Sequence, residues 1–269
     1  MPESLSALPM DPVRFPDLLG DFYRRFTINV LPVCESTSAL LLERAEQGAP
    51  SGTVVVAARQ TAGRGSRGRS WAAYPGKSLA FSVLWHFQPG LERLAGLSLA
   101  AGVAVARALR LRGAQRVSLK WPNDILIDNA KLGGILIDLQ EEPDYAFAVI
   151  GVGINLSIPG DTDFSGFSLP PAGLDSLLSP LPDVQSLLAS LLIGLVNTLD
   201  IFSVQGFAPL RDEWRAMNAW QDRPVRLLRG DIVEKEGICR GADNDGALLV
   251  QTKKGIERCF SGDLSLRAL

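Results

Sequence analysis

The chain has 269 residues, 46% of them apolar and 21% charged, with a formal net charge of −2. That size holds one large domain with a small satellite, and the charge balance excludes a chain-wide polyanion-binding surface. Three scattered cysteines, Cys34, Cys239 and Cys259, and one histidine, His86, exclude a disulfide framework and the usual zinc site.

Residues 1–26 read as a lead-in, weakly ordered or helical. They show no basic segment followed by an apolar one, so no signal peptide is read. The apolar stretch 94–109 is broken by Arg107, Gly96 and Gly102 and falls short of the roughly 20 apolar residues of a membrane span. A cytoplasmic protein is expected. Ser36, Thr37 and Ser38 offer hydroxyl N-caps to a short helix that stops at Gly48. TVVVAAR (53–59) is a β-branched buried strand, and SLAFSVLW (78–85) is another. Residues 91–113 read as one apolar helix ending in glycine.

The segments VSLKW, ILI, KLGGILIDLQ and AFAVIGVGI then read as strands, with a turn at Asp128-Asn129-Ala130 pairing the second and third. Residues 156–182, rich in Pro, Gly, Ser and Asp, read as a long surface excursion, and two helices follow at about 183–204 and 206–219. From Pro224 five short strand segments alternate with turn residues, the pattern of a small β-barrel. His86, Trp214 and Trp220 read as packing residues.

Three segments carry chemistry. Between Glu46 and Glu92 there is no acidic residue, and Arg59, Arg64, Arg67, Arg69 and Lys77 fall in that window. Its loop, QTAGRGSRGRSW, joins glycines that let backbone N–H groups approach a ligand to arginines suited to phosphate or carboxylate oxygens. Gly63, Gly65 and Gly68 also match the dinucleotide fingerprint. That reading fails, because the loop runs into SWAAYPG rather than a helix and no acid stands about 20 residues on. The second segment is KWPND (120–124) with Lys131, Gly133 and Gly134 across the following hairpin. A proline-linked Asn-Asp pair is commonly only a turn, but paired glycines weaken a strand unless something approaches its backbone. The third is GVGIN (151–155), a strand end where Asn155 can face a base or ribose, or simply turn.

In this order and spacing GRGSRGRSW, KWPND, KLGGIL and GVGIN resemble the biotin protein ligases, and the tail RPVRLL…GICRGADNDGALLV resembles their C-terminal domain. The resemblance runs from about Ser36 to the end. It implies an α+β fold: a mixed, largely antiparallel sheet with flanking helices, like class II aminoacyl-tRNA synthetases, plus a small SH3-like β-barrel. It implies a lead-in at 1–26, a catalytic domain at 27–220 and the barrel at 221–269. The implied reaction joins biotin to ATP, with Mg²⁺, as biotinyl-5′-adenylate. A lysine of a biotin carboxyl carrier domain, of acetyl-CoA carboxylase or a related carboxylase, then takes up the biotinyl group.

By position, the resemblance gives Ser36, Thr37, Ser38 and Gln60 to the ureido ring, with Arg64, Gly65, Lys131 and Gly134 completing the biotin site. ATP and the adenylate fall to Arg64, Arg67, Arg69, Trp71, Asn123, Lys131, Asn155 and Arg240. Lys131, Arg64 and Asp124 are the implied catalytic residues, with Asp124 placing Mg²⁺ or the incoming lysine. Ser66 departs from the family loop, which has arginine there, so a looser hold on the adenylate is expected unless Arg67 or Arg69 substitutes.

A lipoate ligase of related fold is the nearest alternative. A nucleic-acid-binding module is poorly supported, since the tail carries both charge signs and no aromatic stripe. A non-catalytic biotin binder is disfavoured by Lys131 and Asp124. No DNA or membrane partner is expected, and the sequence leaves room for a homodimer.

Overall fold

Near-continuous apolar runs place three strands at the centre of the main sheet, where both faces are covered. A computed structural model describes residues 10–71, 76–160, 169–262 and 264–269. In chain order the strands are β1 (Thr27–Cys34), β2 (Thr53–Gln60), β3 (Ser78–Phe87), β4 (Val117–Lys120), β5 (Asp124–Ile127), β6 (Ala130–Glu141) and β7 (Ala146–Asn155). They form a seven-stranded sheet ordered β1-β2-β3-β7-β6-β5-β4, with only β1 and β2 parallel. The expected mixed, largely antiparallel sheet is therefore present. β1 was not read from the sequence, because Pro32 and Asn29 disguise it. It is an edge strand, where a proline without an N–H is tolerated.

The helices are α1 (Phe15–Leu19), α2 (Thr37–Glu46), α3 (Leu97–Leu111), α4 (Val184–Gln205) and α5 (Arg211–Met217). α2 packs Leu41 and Ala45 on one face of the sheet, against Val55, Leu84, Phe147 and Val149. The other four cover the opposite face, where Val54, Phe81, Val83 and Ile150 join the larger core. α4 has 22 residues and the length and apolarity of a membrane span, but Leu187, Leu188, Leu191, Leu195 and Phe202 are buried in this core. Trp214 and Trp220 are buried as expected, and His86 stacks on Tyr145 with ring centroids 4.6 Å apart.

Two expected segments differ. The helix at 91–113 is broken: a short 3-10 turn at Leu91–Leu94 ends before Gly96, which takes a left-handed φ of 82° and caps α3. Residues 169–182 are not simply a surface excursion. Pro170 O accepts from Lys131 N at 2.7 Å, Ala172 N donates to Lys131 O at 2.8 Å, and Leu174 is fully buried. Residues 161–168 of the longer stretch 156–182, and the first nine residues of the lead-in, lie outside the described residues. The hairpin between β5 and β6 turns at Asp128 and Asn129, both with positive φ, as a tight two-residue turn requires.

All five tail strands are present: β8 (Pro224–Arg229), β9 (Ile232–Ala242), β10 (Leu248–Thr252), β11 (Gly255–Cys259) and β12 (Leu264–Ala268). They make a second, antiparallel sheet ordered β11-β10-β9-β8-β12. It docks on the larger layer where Trp121 Nε1 donates to Gly246 O at 3.1 Å. Gly96 sits at this junction, and a Cβ there would stand 2.7 Å from Phe207 Cβ. Gly96→Ala is expected to lower stability by about 2–3 kcal/mol, combining left-handed strain with overpacking. Gly206→Ala, where φ is 66° and nothing lies within 4 Å, should lose only about 1 kcal/mol. Urea denaturation of both variants measures the difference.

Candidate active site

Glycines clear a cavity of about 480 Å³ beside the ends of β3, β6 and β7, roofed by the arginine loop. A Cβ on Gly153 would stand 2.5 Å from the Trp71 ring, and one on Gly133 2.3 Å from Gly153 O. These positions are glycine because a ring or a neighbouring backbone occupies the side-chain space.

One end of the cavity is built by the start of α2. Ser36 is its N-cap and accepts from Ala39 N at 3.4 Å. The next backbone donor, Thr37 N, gives its hydrogen bond to Gln60 Oε1 at 2.7 Å, and Thr37 Oγ1 donates to the same oxygen at 3.2 Å. Thr37 and Ser38 both contact Ser82 Oγ on β3, at 2.9 and 3.1 Å. Thr37, Ser38 and Gln60 line the cavity; Ser36 acts behind them as the cap. Ser82 was missed in the sequence, being one polar residue inside an apolar strand.

The arginine loop folds on itself. Gly65 N donates to Arg69 O at 2.7 Å and Trp71 N to Gly63 O at 2.8 Å, and the backbone of Trp71 fills the space a side chain at Gly63 would need. Arg64 lines the cavity and makes a forked pair with Asp138 of β6, at 2.9 and 3.1 Å. Arg69 bends back onto Ser66, donating to its carbonyl at 3.2 Å and its hydroxyl at 3.1 Å. Arg67 instead leaves the cavity and donates to Leu264 O of the small sheet. Trp71 Nε1 is buried without a partner among the described residues.

The charged centre is Asp124. Lys120 Nζ stands 2.6 Å from Oδ2 and Lys131 Nζ 2.5 Å from Oδ1, an oxygen with no other partner among the described residues. Burial pushes this carboxyl up, but the two ammoniums outweigh burial and hold it at about 2. Lys120 is pulled down by burial, with Asp124 opposing, and lies 5.5 Å over the Trp220 ring. Lys131 reaches the cavity because a bulge between β5 and β6 shifts the register after Ile125. Gly134 lines the cavity beside it.

Other expected residues have different places. Asn123 lines the cavity, but its side chain donates to Ile135 O at 2.7 Å and clamps the hairpin. Asn155 Nδ2 donates to Lys131 O and Ala172 O at 3.3 and 3.2 Å, fixing the backbone that carries Lys131. Arg240 does not line the cavity; it pairs with Asp222 at 2.6 Å and donates to Gln251 at 2.8 Å. A small-sheet cation within electrostatic reach of Asp124 and Lys120 is Arg267, which the sequence reading passed over as part of an ordinary strand. Burial pulls its guanidinium down, Asp124 holds it up, and Arg69 and Arg226 add to the effect of burial. Asp124 does not fit a metal-ligand role, since both its oxygens face lysines. No group of three His, Cys, Asp or Glu comes together among the described residues.

Known proteins share sequence and fold with this chain. The model of the biotin/lipoate A/B protein ligase family matches residues 30–155, and that of the biotin protein ligase C-terminal domain matches residues 222–267. The bifunctional ligase/repressor BirA of Salmonella typhimurium is 38% identical over 246 residues, which are 90% of this chain and 74% of that protein. The biotin–(acetyl-CoA-carboxylase) ligase of Paracoccus denitrificans is 32% identical over 225 residues, 82% of this chain and 92% of that one. The structure of biotin protein ligase from Aquifex aeolicus in complex with biotin and ATP aligns with a TM-score of 0.76 and 28% identity, over 90% of this chain and 99% of that chain.

The Lys120–Asp124–Lys131 group makes a prediction of its own. Asp124 has its folded value below the ordinary 3.8, so its pairing stabilises the fold above that value and is lost as pH falls toward about 2. Asp124→Asn leaves Lys120 buried and unpaired and is expected to cost about 3–5 kcal/mol at neutral pH. Urea denaturation across this range should show the gap to the unsubstituted protein closing between about pH 4 and pH 2.

Proposed function

The chain belongs to the biotin protein ligase family, and from that premise we propose that this cavity is where biotin and ATP are joined. The protein is a biotin ligase acting with biotin and ATP. One observation carries the placement: a single cavity has a hydroxyl–amide cluster at one end and Arg64, Arg69 and Lys131 at the other. The first end suits the urea ring of biotin, and the second suits a carboxylate meeting a phosphate. Lipoate has no urea for the first end to recognise, so the lipoate alternative is disfavoured.

In the first step a biotin carboxylate oxygen attacks the α-phosphorus of ATP and forms the new P–O bond. The bond to the β-phosphate oxygen breaks, and pyrophosphate leaves with the electron pair. Charge gathers on the α-phosphate oxygens, and Lys131 is aimed there with its position fixed by Asp124. In the second step a carrier lysine, as free amine, attacks the acyl carbon of the mixed anhydride. The C–O bond to AMP breaks and the amine loses its proton. Asp124, held at about 2, is far too weak a base to take that proton at neutral pH, so its part is to position Lys131.

Arg64 exchanges Asp138 for the substrate anion, and Trp71 packs at the adenine side over Gly153. Arg267 and Arg226, rather than Arg240, supply the small sheet's positive charge toward the phosphates. The finer architecture completes this reading: a synthetase-like catalytic domain over 27–220, an SH3-like domain over 221–269, and a lead-in at 1–26. The partner is a carboxylase's biotin carrier domain in the cytoplasm, with no DNA or membrane surface required and room for a homodimer.

Incubation with biotin, Mg–ATP and a biotin carboxyl carrier domain should add one biotinyl group, read by mass, with lipoate inactive. Lys131→Ala should slow adenylate formation about 100-fold or more. No product and no biotin binding in the unsubstituted protein would end the assignment. Ser66→Arg should slow dissociation of biotinyl-5′-AMP, because the present loop fills that place with a serine bonded to Arg69. Equal release rates would overturn the expectation that Ser66 loosens the hold.

A further inference from the structure

Ser82 lies midway along β3, fully buried and outside the lining of the cavity. Its hydroxyl touches two lining hydroxyls, and counting protons gives the contacts a direction. Thr37 N can only donate, so the Gln60 atom it meets is Oε1. The single proton of Thr37 Oγ1 also goes to that oxygen, which accepts only. Toward Ser82, 2.9 Å away, Thr37 must therefore accept, and Ser82 donates. With its proton used, Ser82 accepts from Ser38 at 3.1 Å. Ser38 is then left with lone pairs to offer the cavity, and Gln60 with its Nε2 protons, which have no acceptor among the described residues. The hydroxyls occupy the space of an absent side chain: a Cβ on Gly151 would stand 2.6 Å from Ser38 Oγ and 3.4 Å from Ser82 Oγ.

We propose that Ser82 is a positioning residue for biotin, ordering the chain Ser38 to Ser82 to Thr37 to Gln60 so that the cavity presents acceptors and donors matched to a cyclic urea. The inference rests on the biotin reading above. A urea offers a carbonyl acceptor flanked by N–H donors, which meets Gln60 Nε2 and Ser38 Oγ. Without Ser82 the Ser38 proton loses its acceptor, so the hydroxyl either keeps that proton unpaired beside the bound urea or turns to another acceptor and gives up the urea N–H.

Calorimetric titration of biotin and of desthiobiotin, which keeps the urea, tests this alongside steady-state kinetics. Ser82→Ala should weaken both ligands about tenfold and raise the KM for biotin equally, with kcat and the KM for ATP within about twofold. Ser82→Thr, which keeps the hydroxyl, should restore binding. In a Ser38→Ala background, adding Ser82→Ala should change nothing further, because Ser82 acts through Ser38. Unchanged binding in Ser82→Ala, additive losses in the double variant, or a fall in kcat with KM unchanged would each overturn the assignment. If Ser82→Ala does not fold, Ser82→Cys, similar in shape with a feeble donor, carries the same expected loss. Failure of the unsubstituted protein to bind biotin would instead remove the function on which the inference stands.

Discussion

Asp124 holds a charge where burial opposes it, and two lysines, 2.6 and 2.5 Å away, keep it ionised. The arrangement couples fold to chemistry. Lys120 is buried, and burial pulls its ammonium down against the opposing pull of Asp124, whereas Lys131 opens onto the cavity. One carboxylate thus ties a buried cation to one facing the cavity, and the latter inherits a fixed position. The backbone of Lys131 is held as firmly. Pro170, Ala172 and Asn155 all bond to its peptide groups, and the bulge in β5–β6 points its side chain inward. Preorganised charge of this kind stabilises a transition state without reorganising as the reaction proceeds.

The second constraint is space. Gly63, Gly133, Gly151 and Gly153 stand where a backbone carbonyl, a ring or a hydroxyl already occupies the position of a Cβ. The sheet therefore has a hollow where its central strands would otherwise be filled by valine or isoleucine. Sheet pairing continues through the hollow, since Gly153 pairs with Ala80 and Gly134, and Gly151 with Ser82 and Leu136. Rigidity and an open site coexist because the hydrogen-bond ladder does not depend on side chains.

Much of this was legible beforehand. The charge of the loop at 59–77, the paired glycines and KWPND each signal chemistry through residue types that a plain core strand would not hold. The strands of the central sheet were legible as apolar runs, and those of the tail as turn-bounded segments. What escaped had weak local signals. β1 looks irregular because an edge strand can hold Pro32. Asp138 and Ser82 matter only through partners 74 and 45 residues away. Asn155 and Arg240 were assigned to nucleotide by position. Asn155 does line the cavity while its side chain bonds the backbone carrying Lys131, whereas Arg240 bonds Asp222 and Gln251 away from it, placements made by tertiary geometry.

The tethers of the loop over the cavity are weak ones. Arg64 is 42% exposed and Asp138 20%, and exposed ion pairs of this kind contribute about 1 kcal/mol or less. Arg67 reaches a carbonyl of the small sheet, and among the described residues the hydrogen bonds of the Arg69 side chain stay within the loop. No large apolar side chain from 63–70 joins the core, so the loop's closed form rests on polar contacts that water or an anion can replace. A bound carboxylate or phosphate competes with Asp138 for the same guanidinium and does so from inside a less hydrated cavity, where the attraction is stronger. On the reading proposed above, substrate takes Arg64 from Asp138, and Asp138 keeps Arg64 aligned until that exchange.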